Sequence, residues 1–204
     1  MFLRQSTSWA QQVRLLASNA RSNASFGSSV ALFRDALAVG SVGESSASRG
    51  VNGDQQDASA QGAGAVYLFT RSLGLWSADG YFKASNTTAS AQFGSAVALS
   101  GTTLAITARG ESGAGHGINS STAGSSSNSG AAYLFSKEPL GWRQVAYVKA
   151  NAPDADDAFG QSVALSANTL VIGSPGEASS TRGVDTGSPD NAAPNAGAVL
   201  IFGK

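Results

Sequence analysis

Three near-copies of one pattern run through the 204 residues, and this repetition limits the fold more than any other feature. Phe-Gly occurs at Phe26-Gly27, Phe93-Gly94 and Phe159-Gly160, at offsets of 67 and then 66 residues, and Trp9, Trp76 and Trp142 keep the same offsets. "GAVYLF" from Gly64 returns as "GAAYLF" from Gly130 and "GAVLIF" from Gly197. The landmarks hold phase to within one residue, so each copy is one structural unit.

Each unit reads as four short strands. The first is "FGSSVAL", "FGSAVAL" or "FGQSVAL", where large apolar residues alternate with small ones, the period of a strand. A short turn ("FRDA", "SGTT", "SANT") leads to the second, "LAVG", "LAIT" or "LVIG". A connection of about twenty residues follows, long for a compact domain. The "GAVYLF" segment is the third strand, and the fourth runs from the Trp through "GYFKAS" or "AYVKAN". No stretch keeps a helical period. The chain is all-β, with four-stranded antiparallel repeats of about 66 residues. Such sheets bury both faces by stacking around an axis as the blades of a β-propeller.

The order "FG…VAL…TLVIGSPGE…GAVLIF…W" resembles the FG-GAP repeats of integrin-α-type propellers, the bacterial members above all. The resemblance runs from Trp9 to Phe202. The Gly173 to Pro175 stretch, "GSP", is the nearest copy of the second half-motif; "GSV" at Gly40 is weaker and "TAR" at Thr107 departs from it.

The resemblance also sets a phase. Residues 1–8 form an extension and residues 9–19 a lone outer strand. Blades follow at 26–86 and 93–151, and a last blade at 159–202 lacks its outer strand. Propellers typically have about four to eight blades. Three blades therefore imply a partial propeller, an open arc, or half of a six-bladed dimer in which each N-terminal strand completes its partner's last blade.

Composition narrows the function. Charged residues make up 13% and the formal net charge is zero, which leaves no basic face for nucleic acid. Cysteine is absent, which excludes disulfides and thiolate metal sites. No apolar run approaches the ~20 residues of a membrane span. "MFLRQSTSWAQQ" has one Arg and no apolar core, and is not read as a secretory signal.

Integrin-type propellers hold Ca²⁺ in an Asp-rich loop between the first two strands. The corresponding turns here, "FRDA", "SGTT" and "SANT", are short and nearly free of carboxylates, whereas calcium takes six to eight oxygens. No metal site and no cofactor is expected. "VNGDQQD", with Asn52, Asp54 and Asp57, lies in the second connection instead and reads as a polar Gly-Asp turn. Asp154, Asp156 and Asp157 have uncharged counterparts in the other repeats and read likewise.

In the long connections Glu44, Glu111 and Glu177 hold phase, as do Arg49, His116 and Arg182. Each basic residue precedes a Gly and then Val51, Ile118 or Val184. Two readings follow: a Glu–Arg brace that fixes the loop, or a ring of polar groups facing a ligand. The ligand-face candidates are Glu44, Arg49, Asn52, Asp54, Glu111, His116, Asn119, Glu177, Arg182 and Asp185. His116 is the sole histidine and occupies an Arg position, so no Ser–His pair stands out. The resemblance implies a non-catalytic binding or adhesion module at the cell surface, contacting a protein or glycan. The alternatives are a structural segment of a larger surface protein and a propeller enzyme acting on glycans.

Overall fold

The computed structural model describes residues 2–5, 8–184 and 190–203. Among them every regular element is a strand. A hairpin, β1 (Phe2–Gln5) and β2 (Ser8–Gln11), precedes the repeats. The first sheet contains β3 (Phe26–Phe33), β4 (Ala36–Ser41), β5 (Ala65–Ser72) and β6 (Leu75–Phe82). The second contains β7 (Phe93–Ser100), β8 (Thr103–Ala108), β9 (Ala131–Glu138) and β10 (Gly141–Val148). The third has β11 (Ser162–Ser166), β12 (Thr169–Ser174) and β13 (Ala198–Gly203). Each is an antiparallel meander in chain order. The strands sit where the period-two segments place them.

The sheets stack through their first strands, with β3 and β11 both lying against β7. Large residues fill the seams. Between sheets one and two lie Val66, Leu68 and Phe82 with Phe93, Ile106 and Phe135. Between two and three lie Ala132 and Val148 with Phe159, Leu170 and Ile172. Burial of each large side chain stabilises by roughly 1.5–3 kcal/mol.

The two loudest motifs meet at these seams. Gly64 and Phe93 form a parallel β-bridge, as do Gly130 and Phe159. Phe93 is buried edge-on to Tyr133 at 5.2 Å. Gly94 has φ +92°, and a Cβ there would come within 2.7 Å of the Ala65 carbonyl oxygen. Only glycine combines that conformation with that approach.

The ring does not close, and both ends of the stack show bare apolar faces. Val30 and Leu32 are 65% and 58% exposed, whereas Val97, the counterpart of Val30, is 8% exposed against the first sheet. Val199 and Ile201 are 67% and 70% exposed, whereas their counterparts Val66 and Leu68 are fully buried.

The N-terminal strand differs from expectation. The strand is Ser8–Gln11, paired with β1, and residues 12–18 fall in no regular element. They still alternate: Val13, Leu15 and Ala17 are half-buried and Arg14, Leu16 and Ser18 exposed. Leu15 and Ala17 pack on the cluster of Tyr67 and Phe69. Phe82 and Ala84 pack on the second sheet in the same way. The segment thus lies on the first sheet as the outer strand of a preceding blade would.

Candidate functional site

The long connections start with a Gly-Glu pair, Gly43-Glu44, Gly110-Glu111 and Gly176-Glu177. A Cβ on Gly43 would lie 1.9 Å from the Asn23 carbonyl oxygen, so the chain passes directly over the linker into the repeat. The Gly43 amide donates to the Ala24 carbonyl at 3.0 Å. This crossing turns the next side chain, Glu44, under its own loop.

There Glu44 meets Lys83, which continues β6. Lys83 Nζ lies 2.8 Å from Glu44 Oε2, with side chains 0% and 2% exposed. Asn19 Nδ2 donates to Oε1 at 3.1 Å and the Ser46 amide donates to the carboxylate at 3.1 Å. The Tyr67 hydroxyl donates to Asn19 Oδ1. The second repeat rebuilds the set. Lys149 Nζ lies 2.9 Å from Glu111 Oε2, and Asn86 donates to Oε1 at 2.9 Å. The Tyr133 hydroxyl donates to Asn86 Oδ1 at 2.8 Å. Lys149 also donates to Ser129 Oγ at 2.6 Å.

Burial sets the electrostatics. Desolvation holds the ammonium groups of Lys83 and Lys149 below the ordinary lysine range, against the pull of their carboxylates. Desolvation, then the nearby Glu charge, raises the hydroxyls of Tyr67, Tyr81, Tyr133 and Tyr147 far above the usual tyrosine value. These sets lock the loops. Their carboxylates are inaccessible and saturated with donors.

The expected Glu–Arg brace is therefore corrected: the cation on Glu44 and Glu111 is a lysine from the fourth strand. Arg49, His116 and Arg182 are exposed on the loops instead. The "GYFKAS" and "AYVKAN" segments held the signal, because a lysine recurring inside a buried strand requires a counter-charge.

The other candidates divide cleanly. Asn52 and Asn119 are staples: each donates its amide to the Tyr81 or Tyr147 carbonyl at 2.7 Å. Each also accepts from that tyrosine's amide at 3.0 Å on its side-chain oxygen. Asn52 has φ +57° and Asn119 +54°, which asparagine tolerates better than most residues. Asp54 accepts from the Gln56 amide at 2.8 Å. Asp57 accepts from the Ala47 and Ser59 amides at 2.7 and 2.9 Å, and these bonds hold its carboxyl below the usual range. Arg21 donates to the carbonyls of residues 55 to 57. The two carboxylates of "VNGDQQD" thus serve the loop's own backbone. No cluster of three or more metal-ligating side chains occurs among the described residues. Asp185 lies outside them.

Glu177 is half-buried, and among the described residues no cation is bonded to its carboxylate. The counterparts of Asn86 and Tyr133 in its repeat are Ala152 and Leu200. Between the first two loops runs a polar groove of about 490 Å³, lined by Arg49, Asn86, Ser112, Thr122 and Ser125 among others.

A family model for the FG-GAP repeat matches three segments, residues 9–69, 76–135 and 142–202. The chain belongs to the FG-GAP repeat family. Its three FG-GAP repeats begin at the Trp of β2, β6 and β10 and end at the third strand of the four- or three-stranded sheet that follows. Repeat and sheet are thus out of step by one strand. A comparison with curated proteins found no match.

Proposed function

We propose that this FG-GAP segment is a non-catalytic binding module that works outside the cell, presenting its long second connections to a protein or glycan. The observation that carries this reading is the division of labour in the loops. Glu44 and Glu111 are buried and spent on lysine, asparagine and backbone donors. Arg49, Asp54 and His116 stay on the outer surface. The groove beside Arg49 adds hydroxyl and amide groups of the kind that hydrogen-bond a sugar or an extended peptide. Loops positioned on a rigid scaffold are the usual place for recognition.

The test is binding of the purified chain to a glycan array and to a panel of immobilised extracellular-matrix proteins. Arg49→Glu and Thr122→Arg should each lower binding at least tenfold, with the melting temperature unchanged. Full retention of binding by both variants removes the groove from the assignment. Point changes are preferred to excision of residues 46–62, because excision would also delete the Asn52 staple.

A further inference from the structure

The Ser-rich run of the second loop builds one wall of the groove beside Arg49. Residues 112–115 and 121–126 lie against each other. A Cβ on Gly115 would fall 2.0 Å from the Ser121 carbonyl oxygen, and one on Gly124 would fall 2.8 Å from Ala114 Cβ. Glycine permits so close an approach of the two passes. The run is tied down at two points: the Ala123 amide donates to Ser121 Oγ at 3.1 Å, and the Ser126 amide to the Ser112 carbonyl at 2.8 Å. Between these ties the amides of Gly124 and Ser125 form no hydrogen bond among the described residues. The hydroxyls of Thr122 and Ser125 form none either, nor does that of Thr88, which enters the groove from the linker between β6 and β7.

The charges of the groove are unequal. Among the described residues that line it, Arg49 and Glu111 are the charged ones. Glu111 is 3% exposed and accepts from Lys149, Asn86 and the Gly113 amide. Arg49 is exposed, and its guanidinium bonds to no described residue. The groove therefore offers a free cation beside free donors, with its carboxylate already neutralised. A guanidinium takes a carboxylate through two parallel hydrogen bonds. The described lining has no aromatic ring and no aliphatic side chain larger than alanine. A neutral sugar finds no ring to stack on there, and a peptide finds no pocket for an anchoring side chain. The next pair of loops differs: His116 stands in the place of Arg49 and an exposed Asp154 in that of Thr88. A carboxylate at that position repels an anion.

We propose that this groove takes an acidic glycan, with Arg49 pairing with a sugar carboxylate and Thr88, Thr122 and Ser125 bonding the sugar hydroxyls. The assignment rests on the binding-module reading and names the ligand class for the same site. A single exposed ion pair is weak, so Arg49 selects for charge while the uncharged donors supply much of the affinity.

Oligomers of galacturonate and of sialate test it, each beside its methyl ester, which removes the charge and keeps the sugar. Titration calorimetry on the whole chain should show at least one acid bound about fivefold more tightly than its ester, with the ratio shrinking as salt rises. Arg49→Gln should bring that ratio to about one, Arg49→Lys should keep a preference for the acid, and Thr88→Asp should abolish it. Both positions are exposed, and unchanged melting temperatures would show that each variant folds. An oligoglutamate of equal charge should bind more weakly than the preferred sugar; equal binding would overturn the choice of a glycan. Acid and ester bound alike, or a preference that survives Arg49→Gln, would overturn the role of Arg49. If the chain ignores both acids yet binds a neutral glycan or a matrix protein through this groove, the ligand class is wrong and the binding-module reading stands. If nothing binds, both fall.

Discussion

The first two repeats and the third carry the same glutamate in different settings. Glu44 and Glu111 are buried, each held by a lysine, an asparagine and a loop amide. Glu177 is half-buried beside Ala152 and Leu200, and the third sheet stops at three strands. The contrast shows that the glutamate is one half of a device. The other half arrives on the outer strand, and where that strand is not in place the asparagine and tyrosine are absent as well.

The largest expected effect comes from removing the cation. Lys149→Met leaves Glu111 charged and buried without its partner and should cost about 3–5 kcal/mol in urea unfolding. Glu177→Gln, with no bonded cation to lose, should stay within about 0.5 kcal/mol in a monomeric sample. Equal losses would show that the two settings do not differ. The seams give a second contrast. Phe93→Ala should cost about 3–5 kcal/mol, because Phe93 is sealed between two sheets. Phe26→Ala, on the half-open outer face, should cost visibly less by thermal melting.

Alkaline titration sharpens the comparison further. The four buried tyrosines belong to the first two repeats and have pKa values raised above the free value. Their contribution is complete below about pH 10 and lost as pH rises above it, because the unfolded chain ionises first. The loss approaches about 1.4 kcal/mol per pH unit for each tyrosine. Lys83 and Lys149, held low by burial, act in the opposite sense, but only up to about pH 10.5. Urea midpoints should therefore fall between pH 10.5 and 11.5, and the fall should shrink in Tyr133→Phe. At neutral pH that variant should cost only about 1 kcal/mol, the worth of one hydrogen bond to Asn86.

The scaffold was legible because strand period and repeat phase report on local chemistry. Phe-Gly and "GAVYLF" recur because they touch across a seam, and alternation along "FGSAVAL" is read directly as a strand. The loop chemistry was half legible. Glu44 stood out by its phase, but its partner Lys83 lies 39 residues away and meets it only through the crossing of the loop over β6. Arg49 was nearer in sequence and looked the better partner. The role of Asn52 was hidden for the same reason, since a side-chain amide that bonds the backbone of another strand depends on register alone. The N-terminal strand, β2, is shorter than the expected 9–19 stretch because strand propensity specifies an extended backbone and not a neighbour.

The one-strand offset between covalent repeat and hydrogen-bonded sheet bears on how this molecule comes apart. A repeat that melts pulls the outer strand from the sheet before it and the first three strands from its own. Local opening in one module thus damages two, and the array should lose structure in concert, without the stepwise fraying that independent modules would show.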